Sequence, residues 1–138
     1  MSSVAKAFAE HRREQIIRPR PQSVLPNPSS PLLPWLAVRH GEQPPIMLQL
    51  RFRVGSFRSF AYSDLREIYF RDAGHVELGV FGMVPRIITL AGRNLRELAE
   101  YLGSGLVYWI EESDPRTLDV PEASPWIDEI RIEELRSS

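Results

Sequence analysis

The sequence predicts an α+β domain: a twisted, mainly antiparallel sheet of six to seven strands, or a partial barrel curled from it. One helix over 95–102 packs on the sheet, and an extended proline-rich arm precedes it. Three observations predict this. Met47 to Val54 alternates apolar and polar residues with the period of a half-buried strand. Glycine-bearing turns at Gly55-Ser56 and Asp72-Ala73-Gly74 separate further apolar runs, as hairpins require. Leu95, Leu98, Ala99 and Leu102 recur at helical spacing and stop at Gly103 and Gly105.

Residues 2–17 contain acceptable helix formers, but their apolar face is Val4 and Phe8, with Ile16 and Ile17 beyond. That is little to stabilise a helix standing alone in water. Eight of the twelve prolines then fall between Pro19 and Pro45, which excludes helix and central strand and predicts an extended, polyproline-like arm. Leu32, Leu33, Trp35, Leu36 and Val38 are too apolar for a solvated linker, so they are expected on the domain surface or on a partner. The boundary is set at residues 1–45 for the arm and 46–138 for the domain.

In the first strand Leu48, Leu50, Phe52 and Val54 share one face, and Gln49, Arg51 and Arg53 the other. Phe57 to Tyr62 returns as its hairpin partner. Ser63-Asp64-Leu65 interrupts it, and Asp64 and Glu67 have the spacing of a capping box. Glu67 to Arg71 and His75 to Phe81 form a second hairpin, with Ile68 and Phe70 in phase with Val76, Leu78 and Val80. Arg86 to Ala91 is another strand. Asn94 has the chemistry of a helix N-cap, completed as a box by Glu97. Leu106 to Ile110 is apolar on both faces and predicts a strand covered on both sides. Residues 113–124 are loop. Trp126 to Leu135 suits helix or strand, and its tryptophan and isoleucines favour strand. The expected core is Leu48, Leu50, Phe52, Ile68, Phe70, Val76, Leu78, Val80, Ile88, Leu90, Leu95, Leu98, Leu102, Val107 and Trp109.

The segments Leu50-Arg51-Phe52 to Gly55, Phe60-Ala61-Tyr62-Ser63-Asp64-Leu65, Gly92-Arg93-Asn94-Leu95 with Leu98, and Trp109-Ile110-Glu111-Glu112 together resemble a pattern of small uncharacterised bacterial proteins. The resemblance covers Met47 to Glu112, half of the chain. It implies a compact β-rich domain with one helix and carries no established activity, so it assigns no functional residue.

Composition narrows the function. The chain has no cysteine, which excludes disulfides, thiol catalysis, iron–sulfur clusters and thiolate zinc sites. Its apolar runs are far short of a bilayer span, and MSSVAKAFAEHRRE lacks the apolar core of a secretory signal, so the expected location is cytoplasmic, away from membranes. Residues 1–60 carry nine basic and three acidic side chains, a balance of +6, whereas residues 101–138 carry three and nine, a balance of −6. Such a gradient suits two ends that neutralise each other, or a basic arm for nucleic acid. His11, His40 and His75 have no partner at metal-ligand spacing, and His75 with Glu77 reads as a solvated strand face. No glycine-flanked serine elbow or phosphate loop is present. The chain is therefore expected not to be an enzyme and to hold no metal or cofactor.

Binding is the expected role, through a protein partner or a second copy of the chain. Leu33 and Trp35 in the arm and Arg51, Arg53 and Arg58 on the first hairpin are the candidate partner-binding residues. The proline-rich arm has the residue types that dock in grooves, or that cover the sheet of its own domain or a neighbouring copy. The alternative is RNA or single-stranded DNA on a platform of Arg51, Arg53, Arg58, Phe60 and Tyr62. Hairpin register decides whether that platform exists. A two-residue Gly55-Ser56 turn puts Phe60 and Tyr62 on the arginine face; a three-residue turn including Phe57 puts them in the core. Burial of two large rings favours the latter.

Overall fold

The computed structural model describes residues 33–117 and 119–135. The short helix expected at 2–17, the arm up to Leu32, and His11, Arg12, Arg13, Arg18 and Arg20 lie outside these residues. The described chain forms β1 (Trp35–Ala37), β2 (Met47–Arg51), β3 (Phe57–Ala61), a 3-10 turn (Tyr62–Asp64), β4 (Leu65–Asp72), β5 (His75–Phe81), β6 (Pro85–Arg93), α1 (Arg96–Gly103), β7 (Val107–Glu111) and β8 (Trp126–Glu134).

The strands make two four-stranded sheets, ordered β1-β7-β2-β3 and β4-β5-β6-β8, in place of the single six- to seven-stranded sheet expected. The break is local. Tyr62–Asp64 winds one 3-10 turn, so β3 ends its ladder with β2 and β4 begins another with β5. The capping-box reading of Asp64 and Glu67 is corrected here, since no side chain caps this turn. Every strand pair among the described residues is antiparallel except β2 with β7, whose parallel pairing brings together segments separated by β3 to β6 and the helix.

Strand β1 lies upstream of the boundary drawn at residue 45, and the compact unit begins at Leu33. Trp35–Ala37 joins the ladder at an edge, where the preceding Pro34 leaves no central hydrogen bond broken. The carbonyl of Pro34 accepts the Glu111 N–H at 2.8 Å, which extends that edge by one bond.

The β2–β3 loop is Arg53-Val54-Gly55. Phe52 N–H donates to the Ser56 carbonyl at 2.8 Å and Gly55 N–H to the Phe52 carbonyl at 2.9 Å. Gly55 sits at φ +99°, a left-handed position that closes a three-residue hairpin loop. Neither turn considered from the sequence is the one formed. The register pairs Leu48 with Phe60 and Leu50 with Arg58, so Phe60 falls on the inner face.

In β7 the expected core pair was Val107 and Trp109. The register against β1 slips between Leu36–Trp109 and Ala37–Val107, which leaves Tyr108 as an extra residue. That bulge reverses the phase: Val107 and Ile110 are buried, and Trp109 turns outward. A second slip in β6 lies between Ala91 and Gly92 opposite β8. A Cβ on Gly92 would overlap the Trp126 carbonyl oxygen, so only glycine lets the strands approach here.

The helix forms where predicted, one residue later, with Leu98, Ala99 and Leu102 buried. Its cap differs. Leu95 occupies the cap position and no side chain bonds the first turn. Asn94 adopts φ +58° and its amide donates to the Glu122 and Ser124 carbonyls, each at 3.1 Å, so it anchors the 122–124 loop instead. The final segment is strand. The core joins both sheets and the helix, with Trp35, Ala99, Ile110, Ile127 and Ile130 added to the expected set, while Phe52, Ile68 and Phe70 are only partly buried against it.

Candidate functional site

The first hairpin distributes the candidate arginines over three environments. Arg51 points to the outer face of the first sheet, its guanidinium carbon 4.3 Å from the centre of the Trp109 ring. Arg58 lies opposite Leu50, exposed at the end of the inner face, 5.3 Å from the Phe60 ring. Arg53 bridges the sheets. Its side chain donates to the Ser113 carbonyl (Nη2, 3.0 Å) and the Asp128 carbonyl (Nη2, 2.9 Å). Its N–H donates to Glu112 Oε1 at 2.7 Å, while Glu112 Oε2 accepts the Ile130 N–H at 2.9 Å. One carboxylate thus ties the β2–β3 loop to β8, and Ser113 Oγ accepts the Ile127 N–H beside it at 3.0 Å. Arg53 is occupied by this clasp.

Phe60 and Tyr62 are half-buried against the core. The Tyr62 hydroxyl donates to the Val107 carbonyl at 2.7 Å and accepts the Val107 N–H at 3.1 Å. Burial pushes the phenol up to about 12, with the Val107 backbone contact opposing it. These two rings therefore share no surface with Arg51 and Arg53, and the five-residue platform is not assembled on one face.

Of the arm candidates, Leu33 is exposed, whereas Trp35 is 2% exposed and belongs to the core. The Trp35 indole N–H finds no acceptor among the described residues.

A different surface is assembled on the outer face of the first sheet. The register aligns Leu36, Trp109, Gln49 and Ser59 in one row and Glu111, Arg51 and Phe57 in the next. Met47 stands beside them. Leu36 is 41% exposed, Met47 46% and Phe57 61%, so apolar area crosses all four strands of this face. The sequence hid it because Trp109 read as core and Phe57 as the start of a paired strand. The signal was Leu106–Ile110, apolar on both sides, where Arg51 lies over the outer Trp109 ring.

Other polar contacts are local. Asp72 Oδ1 accepts the Gly74 N–H at 2.8 Å and faces His75 Nδ1 at 3.1 Å, and these contacts hold its carboxyl below the usual range. A shallow hollow of about 400 Å³ beside β4 and the helix end has Arg66 and Glu67 as its charged residues and no nucleophile paired with a base. Among the described residues no group of three His, Asp or Glu side chains is placed to hold a metal ion, and no helix is long and apolar enough to cross a membrane.

Comparison with protein-family models, curated proteins and solved structures returns no match for this chain.

Proposed function

We propose that the chain is a non-catalytic protein-binding or assembly module that works through the outer face of the first sheet. The observation that carries the reading is the stripe of Leu36, Trp109, Met47 and Phe57 across four strands, with Arg51 stacked on the tryptophan. Tryptophan, phenylalanine, methionine and arginine are the residue types enriched where proteins meet. A large ring held by a neighbour also loses little side-chain entropy on contact.

The test uses the full chain and a Leu36→Asp/Met47→Asp double variant as paired samples in sedimentation velocity and affinity capture. Both side chains are about half exposed, so the variant should keep the circular dichroism and melting temperature of the wild type. The reading expects a stoichiometric associate, copy or other protein, that the double variant loses. A wild-type chain with no associate that the variant does not share overturns it.

The second reading is RNA or single-stranded DNA on the same face, because Arg51 over Trp109 beside Phe57 offers a cation and rings for stacked bases. Glu111 in the same row and the acidic final third of the chain oppose it. Oligonucleotide anisotropy should then rise at low salt, fall steeply as salt increases, and drop in Arg51→Ala. No anisotropy change at low salt ends this reading.

A further inference from the structure

We infer that this module also pairs with a second copy of the chain, joined edge to edge through β3; the pairing goes beyond the assembly reading and leaves the outer face open to its own partner. A strand at a sheet edge presents unpaired N–H and C=O groups, and natural edges are normally blunted against pairing. Among the described residues, three of the four sheet edges are blunted. Strand β1 is three residues long and follows a proline. Strand β4 carries Arg66, Glu67, Arg71 and Asp72 and two register slips. Strand β8 carries Asp128, Glu129, Glu133 and Glu134, and its free edge is met by Glu112 and Ser113. Strand β3, Phe57-Arg58-Ser59-Phe60-Ala61, has one charge, no proline and no bulge, and among the described residues pairs only with β2. Phe57, Arg58 and Ser59 are all exposed.

The groups that β3 leaves free follow from its register. The bonds from Phe52 N–H to the Ser56 carbonyl and from Tyr62 N–H to the Ile46 carbonyl mark the hydrogen-bonded pairs of the β2–β3 ladder. Arg58 and Phe60 fall in phase with those pairs. Phe57, Ser59 and Ala61 therefore direct their N–H and C=O away from β2.

A two-fold antiparallel pairing centred on Ser59 uses all three residues of each copy. Ser59 faces Ser59 of the other copy, and Phe57 faces Ala61, large against small on the outer face. Arg58 faces Phe60, which repeats between copies the cation–ring contact already made within one. No charge meets its like across the strand. A pairing centred on Arg58 would oppose two guanidinium groups and present the wrong backbone groups. The Ser59 register is the self-complementary one, as a two-fold interface requires. It would join the first sheets of two copies into one, with the two apolar stripes on the same side. One five-residue edge buries a small area, so the dimer is weak and concentration-dependent.

The chain has no cysteine, which makes the test direct. In the full chain, Ser59→Cys should give a disulfide-linked dimer under mild oxidation, because residues in a hydrogen-bonded pair stand about 5.5 Å apart, within disulfide reach. Arg58→Cys, offset from its own copy, should not. Sedimentation from micromolar to millimolar concentration should show a dimer that Ser59→Pro abolishes with the fold retained, since β2 does not use that N–H. Should the proline variant fail to fold, Ser59→Lys, which opposes two ammonium groups, should abolish the dimer instead. A monomer at every concentration overturns the inference and leaves the assembly reading to its own capture test on Leu36 and Met47. A dimer indifferent to Ser59→Lys, with no Ser59→Cys crosslink, overturns the β3 register while assembly stands.

Discussion

Glu112 shows how much of this fold depends on side chains that reach backbone. Its two oxygens accept the N–H groups of Arg53 and Ile130, from different sheets. Glu112→Ala leaves the Ile130 donor without its acceptor, in a partly enclosed position, and should lower unfolding free energy by about 1–3 kcal/mol in urea titration. Glu112→Gln should recover part of that loss, because its amide oxygen accepts one N–H while its NH₂ faces the other. Tyr62 acts similarly on Val107. The fold raises its phenol from the ordinary 10.0 to about 12 and so favours the neutral form. Its stabilising contribution is whole below the unfolded value and is lost as pH rises through the folded one. Wild-type stability should therefore fall through this alkaline window. Tyr62→Phe should start less stable at neutral pH, with Val107 unmatched, and lose that part of the slope. An unchanged alkaline slope in Tyr62→Phe would remove the phenol from the account.

At the scale of elements, what could be read from the sequence was what is local. The alternation of Leu48 and Leu50, the Asp72-Ala73-Gly74 hairpin, and the leucine spacing of the helix each rest on residues within a few positions of one another. What could not be read depends on distant partners. Asn94 and Glu97 have the spacing of a capping box, but the 122–124 loop supplies the carbonyls that take the Asn94 amide. Tyr108 carries no glycine to announce a bulge, and that one extra residue moved Trp109 from the expected core to the candidate face. The Asn94 geometry has its own test. At a true N-cap, serine replaces asparagine with little loss. At φ +58°, glycine is tolerated and serine is strained. Asn94→Gly should lower stability by about 1 kcal/mol through its lost amide bonds. Asn94→Ser should lower it further, so melting temperatures should rank wild type, glycine, serine. Gly92 is stricter. Gly92→Ala must push β6 from β8 at the Trp126 carbonyl, and a loss of about 3 kcal/mol or more is expected in denaturant titration.

Across the whole molecule, the two sheets should stand or fall together. Leu50 and Ile110 from the first sheet and Val76, Ile88 and Ile130 from the second belong to one buried cluster, closed by the helix through Leu98 and Leu102. Neither sheet has a second apolar layer of its own among the described residues, so separating them exposes the inner faces of both. The parallel pairing of β2 with β7 further requires the intervening strands β3 to β6 and the helix to be in place before it forms with little added loop entropy. Both arguments predict one cooperative transition and slow, topology-limited refolding in the range of milliseconds to seconds. Native-state hydrogen exchange checks this. The amides of Leu50 and Ile110 should share the free energy of opening of those of Ile88 and Leu90, and all should move together in Glu112→Ala. A gap of more than about 1 kcal/mol between the two sets would mean that the sheets open as separate units, with the Glu112 clasp acting as a latch between them.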